Sequence, residues 1–440
     1  MIKTLTSAFK NKDIRKKLLY TLMMLVVIRI GSLLPIPGVD TEYFSTLLSG
    51  FNSGDLSYLS AFTGGSFEKM SLFALSITPY ITSSIIMQLL TIAIPKLEEM
   101  QKEGEDGRKK IASITRYVTI ALALIESIAM AVGFGRQGLI KDYKDMSTIH
   151  YVTCIIVVVA ALTAGSAVLM WIGERITEKG VGNGISIVLL INIISGMPSD
   201  FVTLYSTFVA NKSIARGVTV AVIIAAIVIA VVVLVVILQD GERRIPVQYS
   251  QKVAGRKTIG GQATNIPLKV NTAGVMPIIF ASSIMQFPVI IVQLFTSNSY
   301  EWTKYLSQSY WCRVQMPKYS IGLLLYIILV VLFAYFYTSI TFNPVQIADN
   351  LKKAGGVVPG ITPGRSTSEY LNKILNYIVF IGAVGLMIVA LIPIMCTGFF
   401  NASVSFGGTS IIIIVGVVLE TMKQIESMMV NRNYRGFLSE

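Results

Sequence analysis

Residues 217–238 read GVTVAVIIAAIVIAVVVLVVIL, with no charged side chain among them. As a helix this run is about 33 Å long, enough to cross a bilayer core of about 30 Å. In lipid each backbone N–H and C=O must be paired inside the segment, so such a run reads as a spanning helix. Working outward, comparable segments occupy 18–34, 70–94, 111–134, 149–172 and 184–198 before it. Others occupy 272–295, 320–341, 373–395 and 408–425 after it. The sequence therefore predicts an all-α integral membrane protein of ten transmembrane helices.

Composition agrees with this. Charged residues make up 14% of the 440, against about 25% in soluble domains. In a soluble chain the net charge of +13 would suggest nucleic acid. Here Lys and Arg alternate between the two sides of the predicted bundle. The segments 1–17, 96–116, 173–183, 240–269, 343–373 and the C-terminal end carry 27 of them, and the opposite loops carry 9. That bias places both termini in the cytoplasm, with 1–17 a cytoplasmic N-terminal segment and 426–440 a cytoplasmic tail. The apolar run 18–34 is longer than a signal-peptide core and lacks a small-residue cleavage site, so it reads as the first retained span.

Ten spans divide into two groups of five, 18–198 and 217–425. An odd number per group forces opposite orientations, and inverted repeats of this kind place a path at the interface between halves. Two of the loops on the basic side are about 30 residues long, 240–269 and 342–373. Loops of this length are commonly functional or disordered. Their turn, β-branched and basic residues suit ordered, partner-binding protrusions, with a plain solvated loop as the alternative.

Sites for chemistry are few. Cys154, Cys312 and Cys396 lack metal or redox spacing, and His150 has no companion ligands. Arg29, Glu126 and Glu420 are deep ionisable residues, but they form no evident relay. Neither a phosphate-binding loop nor a zinc motif is present. No cofactor, metal or catalytic residue is expected. Three other features carry more information. Segment 55–71, DLSYLSAFTGGSFEKMS, is interrupted by Gly64 and Gly65 and is too short to span. It reads either as an interfacial helix or as a re-entrant element shielded by protein. The second and seventh spans, FALSITPYITSSIIMQLL (73–90) and NTAGVMPIIFASSIMQFP (271–288), are unusually polar for lipid. Both are expected to carry a proline in mid-helix, Pro79 and Pro277.

These stretches resemble the SecY family, the central subunits of bacterial Sec protein-conducting channels. The resemblance extends in order through RIGSLLPIPGVD (29–40), EGEDGRKKIASITRY (103–117), LMWIGERITEKGVGNGISI (169–187), FNPVQIADNLKKAGGVVPGITPG (342–364) and FGGTSIIIIV (406–415). It implies a clamshell of two five-helix halves around an hourglass pore. A pore ring of Ile77, Ile81, Ile185, Leu189, Ile279 and Ile413 is implied, with leucine at 189 where the family commonly has isoleucine. Segment 55–71 becomes a plug, involving Leu56, Tyr58, Leu59, Phe62, Gly64 and Gly65. The second and third spans would face the seventh and eighth as a lateral gate, with Thr82, Gln88, Glu126, Ser282, Ser283 and Gln286 along it. Glu126, Thr82 and Gln286 are expected to share a polar cluster there.

The resemblance implies partners as well: SecE and SecG membrane subunits, the SecA ATPase, the ribosome, preproteins bearing signal sequences, and the lipid bilayer. The docking residues would be Arg243, Arg244, Arg256, Lys257, Lys352, Lys353 and Arg365. The family commonly shows arginine in the turn where this chain has Thr362, with Arg365 three residues later. The implied activity is passage of unfolded secretory chains across the bacterial cytoplasmic membrane and sideways release of membrane segments. Energy would come from SecA, the ribosome or the proton gradient. The alternatives are an inverted-repeat transporter of small molecules, which would need converging polar groups at midplane, and an intramembrane enzyme.

Overall fold

The computed structural model describes residues 6–7, 9–50, 63–140, 147–208, 214–249, 252–254, 257–259, 263–295, 300–313, 316–400 and 408–437. The chain is predominantly helical. Helix α1 (Lys12–Leu33) is capped by Asn11, whose Oδ1 accepts from the Asp13 N–H. It is followed by the short α2 (Thr41–Gly50), then α3 (Thr78–Ala93) and α4 (Pro95–Lys102), α5 (Glu105–Phe134), α6 (Thr148–Lys179) and α7 (Gly184–Phe208). The second part runs through α8 (Ile214–Asp240), α9 (Met276–Phe295), α10 (Glu301–Leu306), α11 (Ile321–Thr341), α12 (Pro344–Lys353), α13 (Arg365–Phe400) and α14 (Gly408–Phe437). Among the described residues, five helices are long and apolar enough to cross a membrane alone, or six if the bent pair α3–α4 counts as one span.

The two prolines sit elsewhere than the sequence predicts. Pro79 and Pro277 are each the second residue of a helix, α3 and α9. The first N–H groups of a helix have no internal partner, so a proline there loses nothing and presets φ. The stretch before α3, residues 70–77, is therefore not helix. It runs in turns beside the end of α1, with Ile36 N–H donating to Met70 O (3.1 Å) and Leu72 N–H to Leu34 O (2.9 Å). Gly31 on α1 lies against the Phe73 ring and Gly165 on α6 against the Leu72 carbonyl, where a Cβ would collide. Several helices also outrun their predicted spans, notably α7 to Phe208 and α13 from Arg365. At Pro95 the chain bends by 105° into α4.

Among the described residues, five short strands add to the helical plan, all in the two long loops. Strand β1 (Glu242–Tyr249) pairs antiparallel with β4 (Ala263–Lys269), and β2 (Lys252–Ala254) with β3 (Lys257–Ile259). Strand β5 (Gly356–Val357), from the second loop, joins the other edge of β1 through Gln248↔Val357 and Tyr249↔Gly356. The two loops thus form one unit. Alternation along β1 turns Ile245 and Val247 inward, onto Leu268, Leu351, Val358, Leu371, Ile374 and Ile378.

The main core is shared by α1, α3, α6, α7, α8, α9, α11, α13 and α14. A smaller core gathers Phe44, Phe67 and Phe134 edge to face, with centroids 5.2–6.5 Å apart. Long rows such as Leu19, Leu22, Met23, Val26 and Ile30 on α1 are exposed and apolar, as a surface facing lipid requires.

Candidate functional site

Ile14 at the start of α1, Val181 before α7, and Met422 and Ile425 near the end of α14 pack together. This end of the bundle is charged. Arg116 pairs with Glu174 (2.7 Å), Arg175 with Glu178 (2.7 Å) and Lys423 with Asp240 (2.7 Å). All six except Asp240 line a cavity of about 880 Å³ that enters the bundle here.

The cavity changes character with depth. On α3 it is lined by Tyr80, Ile81, Ser84 and Gln88; on α7 by Ile185, Ser186 and Leu189; on α9 by Met276 and Ile279. On α14 it runs from Lys423 through Glu420, Val417 and Gly416 to Ile413. Aliphatic residues from four helices, Ile81 on α3, Ile185 and Leu189 on α7, Ile279 on α9 and Ile413 on α14, line it together. Ile77 lies in the same buried core one turn before Ile81 but does not line the cavity.

Beyond the aliphatic layer lies a polar one. Asn192 Nδ2 donates to Ser76 Oγ at 3.0 Å. Arg29 Nη1 donates to Ser195 Oγ at 2.8 Å. Ser195 Oγ faces the carbonyls of Asn192 (2.8 Å) and Gly64 (3.4 Å). Gly64 and Gly65 have φ of +64° and +78°, the left-handed region that glycine adopts freely. In the described part of the predicted plug, 63–71, Thr63, Ser66, Phe67, Met70 and Ser71 are buried, while Glu68 and Lys69 are exposed. Leu56, Tyr58, Leu59 and Phe62 lie outside the described residues.

The predicted gate residues are distributed rather than clustered. Gln88 lines the cavity, its Nε2 3.5 Å from Ser84 Oγ. Thr82 bonds back to the Thr78 carbonyl (3.1 Å) within its own helix. Ser282 is buried and accepts from Gln308 Nε2 at 3.3 Å, and Ser283 is partly buried. Gln286 is buried with Oε1 unpartnered. Glu126 is partly buried, and among the described residues no polar contact joins it to Thr82 or Gln286. A contact that bridges α3 and α5 was not singled out from sequence. It is Ser83 Oγ to Thr119 Oγ1 at 2.5 Å, both fully buried. The signal available was the serine–threonine content of α3, but not its facing.

On the loop unit, Arg243 and Arg244 are exposed on β1, and Arg244 pairs with Glu242. Lys352 and Lys353 are exposed in the last turn of α12, and Arg365 is 93% exposed beside Glu369 (3.0 Å). Arg256 lies outside the described residues, and Lys257 begins β3. Thr362 contributes its carbonyl to the buried Thr367 hydroxyl at 2.9 Å.

The SecY family model matches residues 71–422. The chain is 42% identical to protein translocase subunit SecY of Streptomyces galbus, over the full length of both. It is 40% identical to the subunit of the same name from Bacillus subtilis, again over the full length of both. A structure described as that of a protein conducting channel is similar, with TM-score 0.61, 17% identity, and 94% of this chain and 93% of that one covered. Sec61 in a canine ribosome-channel complex gives TM-score 0.62 at 18% identity, covering 94% and 93%.

Proposed function

The chain belongs to the SecY family, and on that premise we propose that it is the protein-conducting subunit of a translocase and catalyses no reaction itself. The observation that carries the proposal is that Ile81, Ile185, Leu189, Ile279 and Ile413, from four helices, line one cavity. An apolar constriction seals to ions by dewetting. It also presents no fixed hydrogen-bond pattern, so chains of any sequence can slide through it. A transporter of small molecules would instead need convergent polar groups at that depth.

In this reading α1, α3, α5, α6 and α7 form one half of a clamshell and α8, α9, α11, α13 and α14 the other, ten spans in all. The charged mouth and both termini face the cytoplasm of a bacterial cell, in keeping with the Lys and Arg bias. Ile77 completes the ring next to Ile81. The segment around Gly64, with 55–62, plugs the far side. The lateral gate lies between α3–α5 and α9–α11, where Gln88, Thr82, Glu126, Ser282, Ser283 and Gln286 reside. Signal sequences and membrane segments leave through it into lipid. The packing of α9 on α11 and of α3 on α5 supports two blocks that can part.

The joint loop unit would receive the SecA ATPase or a ribosome, which with the proton gradient supplies the energy. The ribosome-bound Sec61 relative supports the second partner. SecE and SecG would cover part of the exposed apolar flank. The test is single-channel recording in planar bilayers. Ile279→Gly with Ile413→Gly should raise resting ion conductance while the protein stays folded. Wild-type conductance would overturn the seal.

A further inference from the structure

The turn Gly180–Val181–Gly182–Asn183–Gly184 delivers the chain into α7, directly before Ile185. Its N–H groups are taken one by one. Gly180 N–H bonds to the Ile176 carbonyl (2.8 Å). Val181 N–H bonds to Thr21 Oγ1 of α1 (3.1 Å), and Gly184 N–H to Thr177 Oγ1 of α6 (2.8 Å). Ile185 N–H bonds to Asn183 Oδ1 (3.1 Å). These partners all belong to the first half. Gly182 is the exception: its N–H donates to Gln424 Oε1 of α14, at 2.5 Å. Gly182 has φ +85°, and a Cβ there would meet Ile187 Cδ1 at 2.7 Å and Thr421 Oγ1 at 2.9 Å. The turn and α14 are fitted to each other.

We propose that Gln424 is a positioning residue for the pore ring, fixing the entry of α7 to α14 so that Ile185, Leu189 and Ile413 stay in register across the two halves. Gly182 lies three residues before Ile185, and Gln424 lies three turns beyond Ile413 on one continuous helix. The bond therefore links the entry of α7 to α14, two of the four ring-bearing helices, at the mouth end. The chain itself crosses between the halves after Phe208, at the other end of α7. This inference rests on the ring being the seal.

The experiment uses the full chain in nanodiscs and planar bilayers. Gln424→Met removes the acceptor at similar volume, and Gln424→Glu keeps an Oε acceptor. Amide hydrogen exchange over 180–185 should quicken about fivefold in Gln424→Met, the loss expected for one hydrogen bond, and stay near wild type in Gln424→Glu. Resting ion leak should rise in Gln424→Met and be restored in Gln424→Glu. The Ile279→Gly, Ile413→Gly channel is measured alongside. If that channel leaks while Gln424→Met exchanges faster but does not leak, the bond exists without positioning the ring, and the proposal is overturned while the ring stands. Unchanged exchange in Gln424→Met overturns it outright. A ring variant that does not leak removes the seal, and this inference with it.

Discussion

Arg29 on α1 donates from Nη1 to Ser195 Oγ on α7 at 2.8 Å, and the same oxygen lies 3.4 Å from the Gly64 carbonyl. A charged side chain in an apolar span is thereby held at the foot of the glycine pair that precedes α3. The contact ties three distant parts of the chain together on the side of the aliphatic layer away from the charged mouth.

Gly64→Ala should destabilise the protein by about 1–3 kcal/mol, through left-handed strain and crowding. Its Cβ would sit 2.5 Å from Ser195 Oγ and 2.7 Å from the Asn192 carbonyl. Gly65→Ala is the control. It is also left-handed, but nothing lies within 4 Å of its Cβ, so only the backbone cost of about 1–2 kcal/mol remains. Thermal melting of both variants in one detergent checks the order, and equal melting temperatures would contradict it.

Thr119→Val keeps the volume and removes the hydroxyl facing Ser83. Ser83 retains the Tyr80 carbonyl at 3.0 Å as an acceptor. The expected cost is therefore only about 0.5–1 kcal/mol, in the range of interhelical polar contacts in membranes. Ser83→Val removes the small side chain that lets α3 and α5 approach, and should cost more. Equilibrium unfolding in mixed micelles distinguishes the two.

Leu371→Ala empties the centre of the loop unit, where Leu371 is fully buried with Val247 and Val358. A fully buried leucine truncated to alanine costs about 2–5 kcal/mol. That exceeds what a two-loop unit can lose without opening locally. Trypsin should then cut after Arg243 and Arg244 much faster than in wild type, while the melting of the helical bundle stays the same. Unchanged cleavage would show that the sheet holds without this core.

Reversal of Arg256 and Lys257 to glutamate should weaken ribosome or SecA binding at low salt, and less so at high salt, since added ions already screen the attraction. Arg365→Glu should have a comparable effect. Its exposed pair with Glu369 is worth only about 0–1 kcal/mol and leaves the guanidinium available. A nanodisc titration at two salt concentrations is the measurement. Equal affinities at low salt would leave these loops without a docking role.

Membrane character was legible in runs such as 217–238, because the demand that lipid makes on backbone hydrogen bonds is local and needs no tertiary information. Pro79 and Pro277 were visible but misplaced, since a proline announces a break without saying whether helix lies on one side of it or both. The structure puts helix on the C-terminal side only, because the turns before α3 are pinned to the end of α1.

The proposed pore ring comes from family resemblance, not from pattern. Ile411, Ile412 and Ile413 are all buried in one core, with Ile414 packed on it, and no periodicity tells which of four adjacent isoleucines meets the cavity. Likewise the two long loops gave signs of order separately, but their union through β1 and β5 pairs residues more than a hundred positions apart. The sequence by itself determined that the chain lives in a membrane, roughly where its helices run and which loops are basic, because these follow from local hydrophobicity and charge. Only the tertiary structure decided which side chains converge on the cavity, which polar groups bind each other across helices, and that α7 is fastened to α14. Those outcomes depend on helix rotation and packing between distant segments, which no local property encodes.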